Sequence, residues 1–164
     1  MDYAELMADF VAKLNVEDAE PDADGVYHFE IDGMPVSMME VAELQQLVVW
    51  GDLGDLPPVG NRERLYRTMM EAMFMGEGTG GSSFSIDRGS GRVFLQRLLS
   101  LVALDPGDFM AQVECFVNVL EEWRKLIVDF REIPPESDRA GAASAASPAE
   151  KPGVGFGLGG FMQV

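Results

Sequence analysis

The side chains of this sequence best suited to chemistry are one histidine, one cysteine and an acidic loop, and their surroundings limit what each can do. His28 alternates with Tyr27 and Phe29 in an extended run, so it stands on the face opposite those aromatics and reads as an exposed strand histidine. With no second histidine, the sequence offers no Ser-His or Cys-His pair for nucleophilic catalysis. Cys115 lies within a helical pattern and reads as a small core residue rather than a reactive thiol; being single, it excludes an internal disulfide and any cysteine-only metal site. Glu20-Pro21-Asp22-Ala23-Asp24-Gly25 places acids at the first, third and fifth positions of a calcium loop and glycine at the sixth, but the twelfth position is Ile31 where a closing acid is needed. The residues after Gly25 alternate like a strand, so a solvated acidic loop is expected. The glycine run Gly76-Glu77-Gly78-Thr79-Gly80-Gly81 lacks the Lys-Ser/Thr ending of a phosphate loop and reads as a linker. Arg62, Arg64 and Arg67 cluster on one helix and are expected to pair with nearby carboxylates.

No base, nucleophile or pair of acids emerges, and the expectation is a protein that is not an enzyme and needs no cofactor or metal. Asp and Glu number 28 against 12 Lys and Arg, a formal net charge of −16 that repels phosphate backbones and anionic lipid and so argues against nucleic acid as a partner. Nowhere do about 18 apolar residues run together, which argues against membrane insertion. The start Met1-Asp2-Tyr3-Ala4-Glu5 is acidic where a secretory signal has a basic head, so the expected location is the cytoplasm. At 164 residues and 47% apolar content the chain can build one domain with a real core.

The elements that must carry these groups are set by hydrophobic period. Tyr3, Leu6, Met7, Phe10, Val11 and Leu14 recur at helical spacing, which predicts a first helix over residues 1–16. Runs at 26–31 and 34–41 flank Asp32-Gly33, a pair suited to a type I′ hairpin turn because both residues take positive φ. A third run, 44–53, completes a three-stranded meander. Asn61 is expected to cap a helix over 62–75, whose stripe of Leu65, Tyr66, Met69, Met70, Met73 and Phe74 is wide enough for burial on two sides. Residues 82–86 and 92–101 form a second hairpin around Asp87-Arg88-Gly89-Ser90-Gly91. Asp105-Pro106-Gly107-Asp108 then starts a final helix carrying Phe109, Val113, Phe116, Val117, Leu120, Trp123 and Ile127.

The domain therefore spans 1–133. Residues 134–164 are expected to be a flexible tail rich in Ala, Gly and Pro, ending in an apolar, glycine-spaced stretch with Phe156, Leu158, Phe161 and Met162.

The order helix, three strands, helix, two strands, helix over residues 1–131 resembles the class I type III secretion chaperones, the family that includes the Tir chaperone. The local match is carried by Gly81-Ser82-Ser83-Phe84-Ser85-Ile86-Asp87, Gly91-Arg92-Val93-Phe94-Leu95, Leu98-Leu99-Ser100-Leu101 and Leu104-Asp105, followed by a helix with Phe116 and Trp123. The resemblance implies an α+β fold, with helices packed on a twisted antiparallel sheet, and a homodimer formed through the second helix and the strand after it, here Leu65, Met69, Met70, Met73 and Phe74 with Phe84 and Ile86. It implies a partner too: the extended N-terminal segment of a secreted effector, held soluble until the secretion machinery, including its ATPase, receives it. The client groove of the first helix and the sheet maps onto Leu6, Phe10, Leu14, Val36, Met38, Leu47 and Val49, and Phe156, Leu158, Phe161 and Met162 of the tail are candidates to occupy it as a placeholder, in their own chain or in a neighbouring dimer. Any helix packed on a sheet needs an apolar face, so core packing competes for each of the groove residues. A protein-interaction or regulatory module outside secretion, with the same fold and a folded partner, is the alternative.

Overall fold

The computed structural model of the protein describes residues 2–16, 19–102 and 104–132. Helix α1 (Tyr3–Leu14) turns Leu6, Met7 and Phe10 inward and ends where Asn15 takes the left-handed conformation, φ 53°. Strands β1 (Tyr27–Ile31) and β2 (Met34–Val41) pair antiparallel about Asp32 and Gly33, whose φ values of 52° and 74° are those a type I′ turn requires. A single turn of 3₁₀ helix at Ala42–Leu44 precedes β3 (Gln46–Asp55), so the third strand starts and ends two residues later than its apolar run suggests. Gln45, at φ 50°, reverses the chain there, and a bulge between Asp52 and Gly54 carries the strand on to Asp55.

Helix α2 (Val59–Met73) begins earlier than expected. Asn61 is not its cap: it lies inside the first turn, buried, and its Nδ2 donates to the Phe130 carbonyl at 3.0 Å. Phe74 leaves the helix at ψ 121° and Met75 is left-handed at φ 55°, two residues short of the predicted end. Strands β4 (Ser83–Ile86) and β5 (Arg92–Ser100) form the second hairpin, its turn held by the Asp87 carboxylate, which accepts from the backbone N–H groups of Gly89 and Ser90. Helix α3 (Pro106–Glu132) is capped by Asp105, whose Oδ1 accepts from the N–H groups of Gly107 and Asp108 at 2.8 and 2.9 Å.

The sheet order is β1-β2-β3-β5-β4, antiparallel throughout. Because β5 pairs with β3, the two edges are β1 and β4. Helices α1 and α3 share one face of the sheet: the Phe10 ring lies 5.2 Å from Phe29 and 4.9 Å from Phe109. At the centre Gly51 lets α3 come close, since a Cβ there would sit 2.4 Å from Leu120 Cδ2.

Candidate protein-binding surfaces

The residues assigned to a client groove lie mostly in the core. Leu6, Phe10, Val36, Met38, Leu47 and Val49 are at most 1% exposed, sealed between the inner face of the sheet and the two helices. The groove assignment is corrected for these six to core packing; Leu14, half-buried at the end of α1, keeps surface to offer.

The α2 stripe divides as a two-sided helix does. Leu65 and Met69 face the protein's own core, whereas Met70, Phe74 and Ile86 are 66%, 74% and 44% exposed. Between them a cavity of about 270 Å³ is lined by Tyr66, Met69, Met70, Met73, Phe84, Ser85 and Ile86, with no carboxylate and no basic group. Apolar side chains set side by side at the surface are the usual mark of a protein contact. Phe84, one of the lining residues, lies edge-on to Trp123 with ring centroids 4.5 Å apart.

Polar ties hold this surface to the body of the fold. The Asn61 amide reaches the end of α3, and the Arg64 guanidinium lies 5.5 Å from the centre of the Phe130 ring. Trp123 Nε1 donates to the Gly78 carbonyl at 2.8 Å. Arg97, 4% exposed on the inner side of β5, donates to Ser82 Oγ, to the Gln112 carbonyl and Oε1, and to the Gly80 carbonyl, with Cys115 Sγ at 3.7 Å. All these acceptors are uncharged, and together they bind the glycine segment, β5 and α3. Sequence patterning passes over Arg97 because a charged residue at an inward strand position reads as a lapse in alternation. Cys115 is exposed beside this cluster and is not the core residue expected: its neighbour Phe116 takes the inward position.

The opposite face of the sheet is apolar too. Met39, Val48, Trp50, Ser85, Phe94 and Gln96 line an open depression of about 300 Å³, and Leu98 nearby is 53% exposed. The signal for this face is in the sequence: Met38-Met39 and Val48-Val49 are apolar at consecutive positions, so both faces of those strands are apolar, as in sheets covered on two sides.

The polar groups elsewhere are structural in character. The two-residue hairpin sets His28 opposite Ser37, and the imidazole joins Ser37 Oγ (Nδ1, 2.9 Å) to Asp22 Oδ2 (Nε2, 3.0 Å). This Ser-His-Asp series of contacts, which sequence reasoning missed, results from the register of a turn at Asp32-Gly33. Its members are solvent-exposed, His28 at 60% of its side chain, and they tie the acidic loop to β1 and β2. Asp22 Oδ1 is occupied by the N–H groups of Asp24 and Val26, and these bonds, the one from Val26 foremost and that from His28 next, hold its carboxyl below the usual range. Among the described residues no cluster of three or more His, Cys, Asp or Glu is arranged to hold a metal ion. At Tyr3, burial first, and then the Tyr27 and Glu40 side chains, push the hydroxyl upward. Among the described residues, of the three clustered arginines only Arg67 meets a carboxylate, Glu63 at 3.8 Å; Arg62 donates to the Pro57 carbonyl and Arg64 sits over Phe130.

The sequence model of the Tir chaperone protein family matches residues 5–124, from the first turn of α1 to the distal part of α3. The chain belongs to the Tir chaperone protein (CesT) family. As a member of that family it has the α+β plan expected, and solved structures share it. The ExsC-ExsE complex is similar with a TM-score of 0.63 at 19% identity, covering 77% of this chain and 97% of that one. The HopA1-SchA chaperone-effector complex gives 0.62 at 15%, over 75% and 93% of the two chains. The Yersinia pestis type III secretion chaperone SycH, in complex with a stable fragment of YscM2, gives 0.58 at 19%, over 74% and 99%. A curated protein of Chlamydia pneumoniae is 33% identical over 104 residues, 63% of this chain and 78% of its own. Among the described residues of this family member, no helix is long and apolar enough to cross a membrane. The four apolar residues Phe156, Leu158, Phe161 and Met162 lie outside the described residues.

Proposed function

We propose that the protein is a cytoplasmic type III secretion chaperone that, as a homodimer, binds an extended N-terminal segment of a secreted effector and keeps it soluble and export-competent until the secretion ATPase receives it. The observation that carries this reading is the family match over residues 5–124. It is supported by fold similarity to a chaperone described in complex with its effector and to a secretion chaperone described in complex with a bound fragment.

The dimer would form through α2 and β4. Two copies of net charge −16 repel each other, so they meet best where charge is absent, and the cavity beside Met70, Met73 and Ile86 is such a place. The client would add along an edge of the sheet: β1 has an open side of backbone N–H and C=O groups, and an extended peptide gains affinity from those bonds and specificity from pockets for alternate side chains. The work is done by binding alone, and no step needs a catalytic group.

The test is recovery of the tagged protein from its own cells, with partners identified by mass spectrometry and the mass of the complex measured by light scattering. Two copies bound to one larger protein, whose N-terminal segment resists protease only when bound, is the expected result. A monomer, or a folded partner bound one to one, would replace this reading with that of an interaction module on the same fold.

A further inference from the structure

The open face of the sheet shares only Ser85 with the cavity beside α2 and β4, and its chemistry selects an occupant. Its depression is lined by Met39, Val48, Trp50, Ser85, Phe94 and Gln96, none of them charged, on a chain of net charge −16. Register sets Met39 opposite Val48 and Trp50 opposite Gln96, so the apolar side chains form a band across β2, β3 and β5. A partner for that band needs apolar side chains at extended spacing and no carboxylates to be stripped of water.

Residues 154–164 have that pattern. In Val154-Gly155-Phe156-Gly157-Leu158-Gly159-Gly160-Phe161-Met162-Gln163-Val164 no side chain is charged. Val154, Phe156 and Leu158 fall at every second position with glycine between, which in an extended strand puts three apolar side chains on one face and only hydrogen on the other. Helix α3 ends at Glu132, leaving residues 133–153 as the connection. A connection of that length spans at most about 75 Å, more than twice the length of β3 at about 33 Å. Covalent connection also raises the local concentration of the segment to the millimolar range, enough for a weak apolar contact to be populated.

We propose that residues 154–164 lie across the open face of the sheet in their own chain, with Phe156 and Leu158 packed against Trp50, Val48, Phe94 and Met39. The segment covers a face that would otherwise be a site for indiscriminate association, and any partner seeking that face must displace it. The contact is within one chain and involves no client, so it stands or falls separately from the chaperone reading.

Trp50 makes the test direct. In the full chain, the substitutions Phe156→Ser and Leu158→Ser together should shift Trp50 emission to the red and raise its quenching constant with acrylamide about twofold or more; Trp50→Phe supplies the buried Trp123 signal to subtract. These substitutions touch no described core residue. Conversely, Val48→Asp should speed chymotrypsin cleavage after Phe156 and Phe161. Trp50 emission and quenching that ignore the Phe156→Ser and Leu158→Ser substitutions would overturn the proposal. So would Trp50 protection that falls on dilution in step with the mass measured by light scattering, which would assign the face to a second copy.

Discussion

The two faces of the sheet are built from similar residues and meet opposite fates. On the inner face Val36, Met38, Leu47, Val49, Val93 and Leu95 are at most 1% exposed beneath α1 and α3. On the outer face Met39, Val48, Trp50 and Phe94, their neighbours in the same strands, are only half-buried around an open depression. Side-chain type therefore does not distinguish core from open face in this protein; what distinguishes them is which face α1 and α3 occupy. Gly51 suits the inner side to α3, because a Cβ there would meet the Leu120 side chain at 2.4 Å and force it to shift.

Truncating an aromatic on each face separates the two most clearly. Phe10→Ala should cost about 3–5 kcal/mol in chemical denaturation, the cost of a buried ring plus the cavity it leaves, while Phe94→Ser should cost well under half of that. Equal losses would mean that the outer face is core as well. Next in size, Arg97→Met should cost about 2–4 kcal/mol, because it strands the acceptors of Ser82, Gln112 and Gly80 in a buried site; Arg97→Lys, without the fork of donors, should recover only part.

At the α2–β4 surface the expected loss is in association and not in folding. Met70→Asp with Phe74→Asp should leave the stability of the single chain within about 0.5 kcal/mol, yet weaken self-association by about 100-fold or more in sedimentation. A large loss of folding stability would place those side chains in the core. Smaller still is the effect of the caps. Asp105, Asp87 and Asp22 are held below the ordinary carboxyl value of 3.8 chiefly by hydrogen bonds, from the Asp108 N–H, the Ser90 hydroxyl and the Val26 N–H respectively. A lowered folded value means their contribution is complete above pH 3.8 and is lost as pH falls through the folded values. Asp105→Asn should therefore flatten the acid limb of the melting temperature and leave its neutral plateau only slightly lower. Smallest, Met75→Gly should raise stability by under about 1 kcal/mol, by relieving a left-handed methionine at φ 55°.

What the sequence made legible was local. The Asp32-Gly33 turn, the Asp105 cap and the periodicity of α3 each depend on residues within a few positions of one another, and each element formed where its pattern lies. The elements' edges were less legible: Leu44 belongs to the apolar run before β3 by composition, yet it is 62% exposed in a 3₁₀ turn. The site was least legible, because burial depends on two elements meeting. Phe10 reads equally well as core or groove until Phe109, ninety-nine positions away, is seen against it at 4.9 Å. Asn61 reads as a cap by type, and only the approach of Phe130 makes it a tie between helices.

Three of the ties that hold α2 and the glycine segment share one property. Asn61, Trp123 and Arg97 each donate to a main-chain carbonyl, of Phe130, Gly78 and Gly80 respectively. A carbonyl is present whatever side chain its residue bears, and none of these donors lies on the outward side of α2. The outward residues of α2 can therefore be exchanged without breaking these three bonds to the frame beneath them.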